Sequence, residues 1–341
     1  MLIRRHSDAY NFAGDTETGI TMRWGRSIEE HPRWAPWPEL ADISISNHCT
    51  AGCAYCYRDS KDDRSFMSLD EYEAVLDALT HPHWGSVFQV ALVGGEPLEH
   101  PEFIQILEAT KQRGIVANFT TNARHVSAKM AEQIAGLVGA VAVSVSSIKQ
   151  LRREKVNLLL NAGVRVNLHF ILDEKSIHEG IDILGGRYND SLEGVHAIVF
   201  LTYKPRGRAA VSGCLKPGAA LDQFLQAVKK NSCSAHVGFD ACFVPLLLSS
   251  TEIEPDYIDS CECAFFSVYI DEQMNVKPCS FATGKRDSWN LRECSMEEIW
   301  VSKYHDYREG LTHQKCQTNC KHTSLCHGRC VYFEQLQFCY S

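Results

Sequence analysis

Between Leu40 and Lys230 the chain repeats one pattern six times: a short apolar, β-prone run, then a stretch of helical period. The strand runs fall at 41–46, 87–93, 115–120, 140–144, 164–172 and 195–201. Helical stretches follow at 68–79, 101–111, 127–137, 149–161, around 177–184 and at 221–229. Ser68, with Glu71 three residues on, forms a capping box, and Gly114 and Gly163 close the second and fourth helices. Six strand–helix units in succession predict an α/β fold: a parallel sheet with right-handed crossovers, flat or curled towards a partial barrel. In such sheets the reactive groups gather at the carboxyl ends of the strands. Residues 1–39, polar and aromatic, read as an extension. After Lys230 the alternation stops and cysteines crowd, so the reading is three segments: 1–39, 40–230 and 231–341.

Composition matters where cysteine is concerned. Fifteen cysteines in 341 residues exceed what core packing needs and are too sparse for a small secreted disulfide scaffold. No stretch resembles a signal peptide or a bilayer-crossing run, so the expected location is the cytoplasm, where clustered cysteines are more often metal ligands than cystines. A net charge of −8 provides no electrostatic footprint for nucleic acid or an anionic membrane.

Directly after the first strand stands Cys49-Thr50-Ala51-Gly52-Cys53-Ala54-Tyr55-Cys56. Three thiolates in one tight loop hold three corners of a cubane cluster and leave its fourth iron open; small residues and Gly52 let the backbone wrap around it. Zinc would need a fourth ligand from elsewhere, and a redox disulfide leaves the third cysteine over. After the second strand comes Gly94-Gly95-Glu96-Pro97, whose glycines admit a ligand to the main chain and whose carboxylate suits an ammonium group.

These two elements together resemble the radical S-adenosylmethionine (SAM) enzymes. The resemblance rests on Cys49, Cys53, Tyr55 and Cys56, on Gly94, Gly95, Glu96 and Pro97, and on Thr121-Asn122 at the third strand's end. It implies a partial (β/α)6 barrel in which SAM chelates the open iron of a [4Fe–4S] cluster. One electron then cleaves SAM to a 5′-deoxyadenosyl radical that removes a substrate hydrogen. It further assigns Ser144 and Asn167 to SAM, although Ser144-Val145-Ser146-Ser147 departs from the usual family run.

Nine cysteines lie between Cys261 and the C-terminus. A hairpin formed by 267–270 and 276–279 would bring Cys263 and Cys279 together, and eight thiolates would fill two four-thiolate sites. Two zinc ribbons are the plainer alternative. After a radical SAM barrel, the field resembles the SPASM domain, which implies two auxiliary [4Fe–4S] clusters and three clusters in all. The first would take Cys263, Cys279, Cys330 and Cys242, with Cys261 the alternative; the second Cys316, Cys320, Cys326 and Cys339. Tyr203-Lys204-Pro205-Arg206-Gly207-Arg208-Ala209 and Asn290-Leu291-Arg292-Glu293 look like this subfamily as well. Met274 replaces the expected hairpin glycine, with Asn275 beside it able to take a left-handed conformation. Cys316 and Cys320 are one residue further apart than usual, and Ser280, where sulfatase-maturing relatives carry aspartate, argues against that activity.

Cys214, Cys233 and Cys294 read as packed thiols, with Cys214 a candidate hydrogen-atom donor. Asp240 is a candidate general base, or a solvated loop carboxylate. His169 and His196, on predicted strands, read as core or lining residues. The favoured function is radical modification of a ribosomally made peptide by crosslinking, oxidation or epimerisation. An electron donor such as flavodoxin or ferredoxin is implied. So is direct peptide binding or a separate recognition protein, since 1–39 is too short for a recognition domain. The alternatives are radical dehydrogenation of a sugar or alcohol, and a zinc- or iron–sulfur-stabilised interaction or electron-transfer protein.

Overall fold

The computed structural model describes residues 1–253, 258–282, 284–311, 322, 326 and 330–336. Its centre is a ten-stranded sheet. The first segment instead forms a three-stranded antiparallel meander, β1 (Leu2–His6), β2 (Asn11–Asp15) and β3 (Thr21–Trp24). Tyr10 and Phe12 bury there against Phe88, Phe265 and Phe266. Arg23 of β3 stacks 3.9 Å from the Phe266 ring centroid and pairs with Glu39 and Glu262.

The alternating units then follow: β4 (Leu40–Ser46), α1 (Leu69–Ala78), a small ribbon β5 (Thr80–His81) and β6 (Gly85–Ser86), β7 (Gln89–Gly94), α2 (Phe103–Gln112), β8 (Val116–Thr121), α3 (Ala128–Ile134), β9 (Val138–Val145), α4 (Arg153–Asn161), β10 (Val166–Leu172), α5 (Ile177–Leu184), β11 (Ala197–Thr202) and α6 (Ala219–Lys229). The capping box at α1 is formed, with Ser68 accepting from the Glu71 amide and Glu71 from the Ser68 amide. In β10, residues 166, 168, 170 and 172 are buried while 167, 169 and 171 are less so, the period-2 signature of a strand whose two faces differ. The fully buried face meets the helices through rings such as Phe103 on Phe119 and Phe224 on Phe200, with centroids 5.0 and 5.3 Å apart.

The sheet continues beyond Lys230. β12 (His236–Phe239) pairs parallel with β11, and α7 (Val244–Ser250) follows. At the other end β13 (Ser267–Ile270) lies parallel to β4, with β14 (Asn275–Lys277) and β15 (Trp289–Asn290) antiparallel beyond it. The order is β12-β11-β10-β9-β8-β7-β4-β13-β14-β15. A π-helical turn (Glu298–Lys303) leads into α8 (Tyr304–Leu311). In the β13–β14 turn the left-handed residue is Met274 itself (φ 65), not Asn275, which opens β14. Asp271 supports this by accepting the amides of Gln273 and Asn275 and the Lys277 ammonium.

Candidate functional site

β4, β7, β8 and β9 end on the same side of the sheet, and the first cysteine loop leaves β4 there. A bulge between Ser44 and Ser46 shifts the register so that Ser46 faces Gly94. The Gly95 amide donates to the Ser46 carbonyl and the Glu96 amide to the His48 carbonyl, both at 2.9 Å. This contact explains the glycines. A Cβ on Gly94 (φ 128) would lie 2.1 Å from the Ser46 carbonyl oxygen, and one on Gly95 only 1.7 Å from that of His48. The two loops are thus pressed main chain to main chain, and Cys49 begins one residue after the contact.

Within the loop the Cys49 sulfur accepts the Ala51 amide at 3.4 Å, and Gly52 takes φ 64, as a wrapped turn requires. Burial first, and the carboxylates of Glu99 and Glu96 after it, hold the Cys49 thiol above its ordinary value. Tyr55 packs beside Tyr203, Ala209 and Cys214. From the far side, Arg208 donates to the Cys53 carbonyl through Nε at 2.9 Å and to the Cys56 carbonyl through its amide at 3.0 Å. Gly207 (φ 63) passes so close that a Cβ would sit 2.4 Å from the Cys56 oxygen. The run from Tyr203 to Ala209 is therefore the backing plate of the cysteine loop.

The Glu96 carboxylate, expected to face an ammonium group, has partners within the chain. It is buried and accepts from the Thr121 hydroxyl (2.6 Å), the Asn122 amide (2.8 Å) and the Leu98 amide (3.2 Å). Burial raises its pKa, and these three donors pull the other way. These bonds tie the ends of β7 and β8 together. Ser144 lies near the carboxyl end of β9. Asn167 does not join it: it stands at the start of β10, about 16 Å of strand before the end, and pairs with Ala142 and Ala197. The residue in register with Ser144 is His169, whose imidazole burial lowers to about 4.

The second cysteine field forms one wall. Cys242, Cys261, Cys263, Cys279 and Cys330 all line a single cavity of about 200 Å3, with Asp42 and Lys204. Cys242 beside it holds the Cys330 thiol below its ordinary value, while neighbouring Cys261 and Cys279 push the Cys263 thiol up. Among the described residues no three His, Cys, Asp or Glu side chains converge on one point for a metal ion. The five thiols line one cavity, and their soft donor set fits iron–sulfur chemistry. Both chosen and alternative fourth cysteines thus share the cavity. Cys326 packs elsewhere, beside Val244, Leu248 and Ile258; Cys316, Cys320 and Cys339 lie outside the described residues.

Asp240 is neither solvated nor free. It accepts the Thr202 hydroxyl at 2.6 Å and the Lys204 ammonium, an ion pair at the cavity edge. Burial would lower Lys204, but Asp240 and the Cys242 and Cys279 sulfurs outweigh it and hold the ammonium above its usual value. Cys214 is buried, its thiol raised by burial, and Cys233 and Cys294 are half-buried at the core's edge, all three as packed thiols. Sequence reasoning missed Asp42, whose free surface opens onto the cavity and whose carboxyl burial lifts to about 7. It also missed Glu99, discussed below. A further cavity of about 1150 Å3 opens at the strands' amino ends beside Lys111, Arg165 and His196, and among the described residues no cysteine lines it.

Residues 43–161 match the model described as the Radical SAM superfamily. That stretch carries a radical SAM domain. It is 26% identical over 168 residues to the PqqA peptide cyclase of Methylorubrum populi, covering 42% of this chain and 44% of that protein. For the PqqA peptide cyclase of Gluconobacter oxydans the identity is 23%, covering 37% and 42%. The chain thus spans less than half the length of these relatives. Among solved structures, Streptococcus suis SuiB bound to its precursor peptide SuiA superposes with a TM-score of 0.68 at 15% identity, covering 89% of this chain and 75% of that one. anSMEcpe with bound AdoMet gives 0.62 at 18%, covering 86% of each. These likenesses bear out the expected α/β fold with its mostly parallel sheet. No helix among the described residues is long and apolar enough to cross a membrane.

Proposed function

We propose that this chain modifies a peptide at an unactivated carbon, crosslinking, oxidising or epimerising it by SAM-derived radical chemistry. The observation that carries the reading is the main-chain seam between Ser46–His48 and Gly95–Glu96, which sets three thiols of one loop against a glycine-lined main chain. Cys49, Cys53 and Cys56 would hold the SAM-binding [4Fe–4S] cluster; Cys263, Cys279, Cys330 and Cys242 or Cys261 would hold one auxiliary cluster, and Cys316, Cys320, Cys326 and Cys339 a second. When bound, cluster and SAM supply a 5′-deoxyadenosyl radical. The chain's own residues position and enclose: Glu96 locks the glycine turn, Arg208 and Gly207 brace the loop's back, and Tyr55 packs on Tyr203, Ala209 and Cys214. Precursor-peptide binding by SuiB and the PqqA peptide cyclases support a peptide substrate, delivered directly or by a separate recognition protein, with electrons from a flavodoxin- or ferredoxin-type donor.

Anaerobic reconstitution tests this. About twelve irons per chain are expected for three clusters of four, and SAM with a strong reductant yields 5′-deoxyadenosine. Cys56→Ala abolishes that product, whereas Cys263→Ala retains part of it. A wild-type protein that binds zinc and leaves SAM intact would overturn the reading.

A further inference from the structure

Glu99 closes the short turn Pro97–Glu99, three residues beyond the buried Glu96, and its side chain is only 7% exposed. Its carboxylate accepts three hydrogen bonds, none from its own turn, and stands within ion-pairing distance of a second imidazole. The Thr50 amide and hydroxyl reach it at 3.0 and 2.6 Å, Nε2 of His125 at 2.9 Å and Nε2 of His48 at 3.3 Å. Thr50 and His48 flank Cys49. A carboxylate so enclosed is costly unless its bonds are needed, and charge-assisted bonds are the strong ones. The Glu96 side chain bonds Thr121, Asn122 and Leu98 instead.

We propose that Glu99 is the positioning residue of the three-cysteine loop. It pins the first peptide of the Cys49–Cys53 arc and places a fixed negative charge beside it, biasing a cluster held there towards its oxidised state. The proposal rests on the radical SAM reading. Thr50 supplies the geometry and Glu99 both geometry and charge, so the two contributions separate by substitution. A nearby negative charge makes adding an electron harder, and charge and hydrogen bonding around a cluster set its potential.

The test uses the anaerobically reconstituted full chain, comparing wild type with Glu99→Gln and Thr50→Val. Iron content, SAM affinity and an EPR-monitored redox titration of the SAM-responsive cluster are read together. Glu99→Gln is expected to shift the midpoint to more positive potential and weaken SAM binding about tenfold, the loss of one charge-assisted bond. Thr50→Val, which keeps the charge, should weaken SAM binding by a similar factor with the midpoint unmoved. Wild-type potential and affinity in Glu99→Gln overturn the proposal. Should Glu99→Gln fail to hold iron, Thr50→Val decides: unchanged SAM affinity overturns the positioning role, and weakened affinity supports it. A wild-type protein that binds no SAM refutes the parent reading, and that result comes from a different sample.

Discussion

Gly95→Ala probes the seam on which the site depends. The added methyl would stand 1.7 Å from the His48 carbonyl oxygen, 2.4 Å from its carbon and 2.9 Å from its nitrogen. All three are main-chain atoms, so no rotamer change relieves the clash. Opening the shortest contact to 3.0 Å moves one loop by about 1.3 Å, since 3.0 less 1.7 is 1.3. The bonds from Gly95 to Ser46 and from Glu96 to His48 are then lost, at about 1 kcal/mol each. Stability should fall by only about 2 kcal/mol. Catalysis should fall much further, because about 1 Å of misplacement at a reacting centre costs on the order of 10²-fold. The assay is the initial rate of 5′-deoxyadenosine formation at saturating reductant, with thermal melting alongside. Gly163→Ala is the control: its φ of 77 adds a backbone strain that Gly95→Ala does not carry, but nothing lies within 4 Å of the added methyl. A Gly95→Ala protein that cleaves SAM within threefold of wild type would refute the argument.

Other expectations follow from single contacts. Burial, against the pull of Arg23, lifts Glu39 to about 7. The stability it contributes is therefore complete below its unfolded value near 4.5 and is lost as pH rises through about 7, by up to roughly 3 kcal/mol. Urea unfolding should show Glu39→Gln gaining on wild type between pH 5 and pH 8, and a constant difference would contradict this. Lys204→Met strands the buried Asp240 carboxylate and should cost about 3–5 kcal/mol, most of it recovered by adding Asp240→Asn; equal losses in the single and double variants would count against the pair. Ser68→Ala, which removes the cap of α1, should cost about 1 kcal/mol in chemical denaturation.

The six strand–helix units were legible because each strand carried a continuous apolar face and helices such as α1 and α3 opened on a serine cap. The meander was not, because Arg5 occupies an inward position of β1. Its guanidinium is buried by donating to the Trp37, Pro38 and Ser86 carbonyls, and a charge on the inner face erases the period. Four-residue β12 escaped notice for want of length. At the site, the cysteine loop and the Gly-Gly-Glu-Pro turn stood out because their residue types are chemically unusual at that spacing. Asn167 was misplaced because inter-strand register cannot be read along one strand; it took the pairing of Ser144 with His169 to show it. The partnership of Asp240 with Lys204, across 36 residues, and the reach of Glu99 to Thr50, across 49, leave no local trace.

The docking of β13 on β4 has a practical consequence for anyone dividing this protein. Ending the chain at Lys230 would peel a neighbour from each flank of the parallel core, β12 from β11 and β13 from β4. Two rows of unmet amides and carbonyls would then face solvent, one of them beside the strand that launches the cysteine loop. Such a fragment should precipitate or pair edge to edge rather than survive as a miniature enzyme, however complete its motifs look on paper.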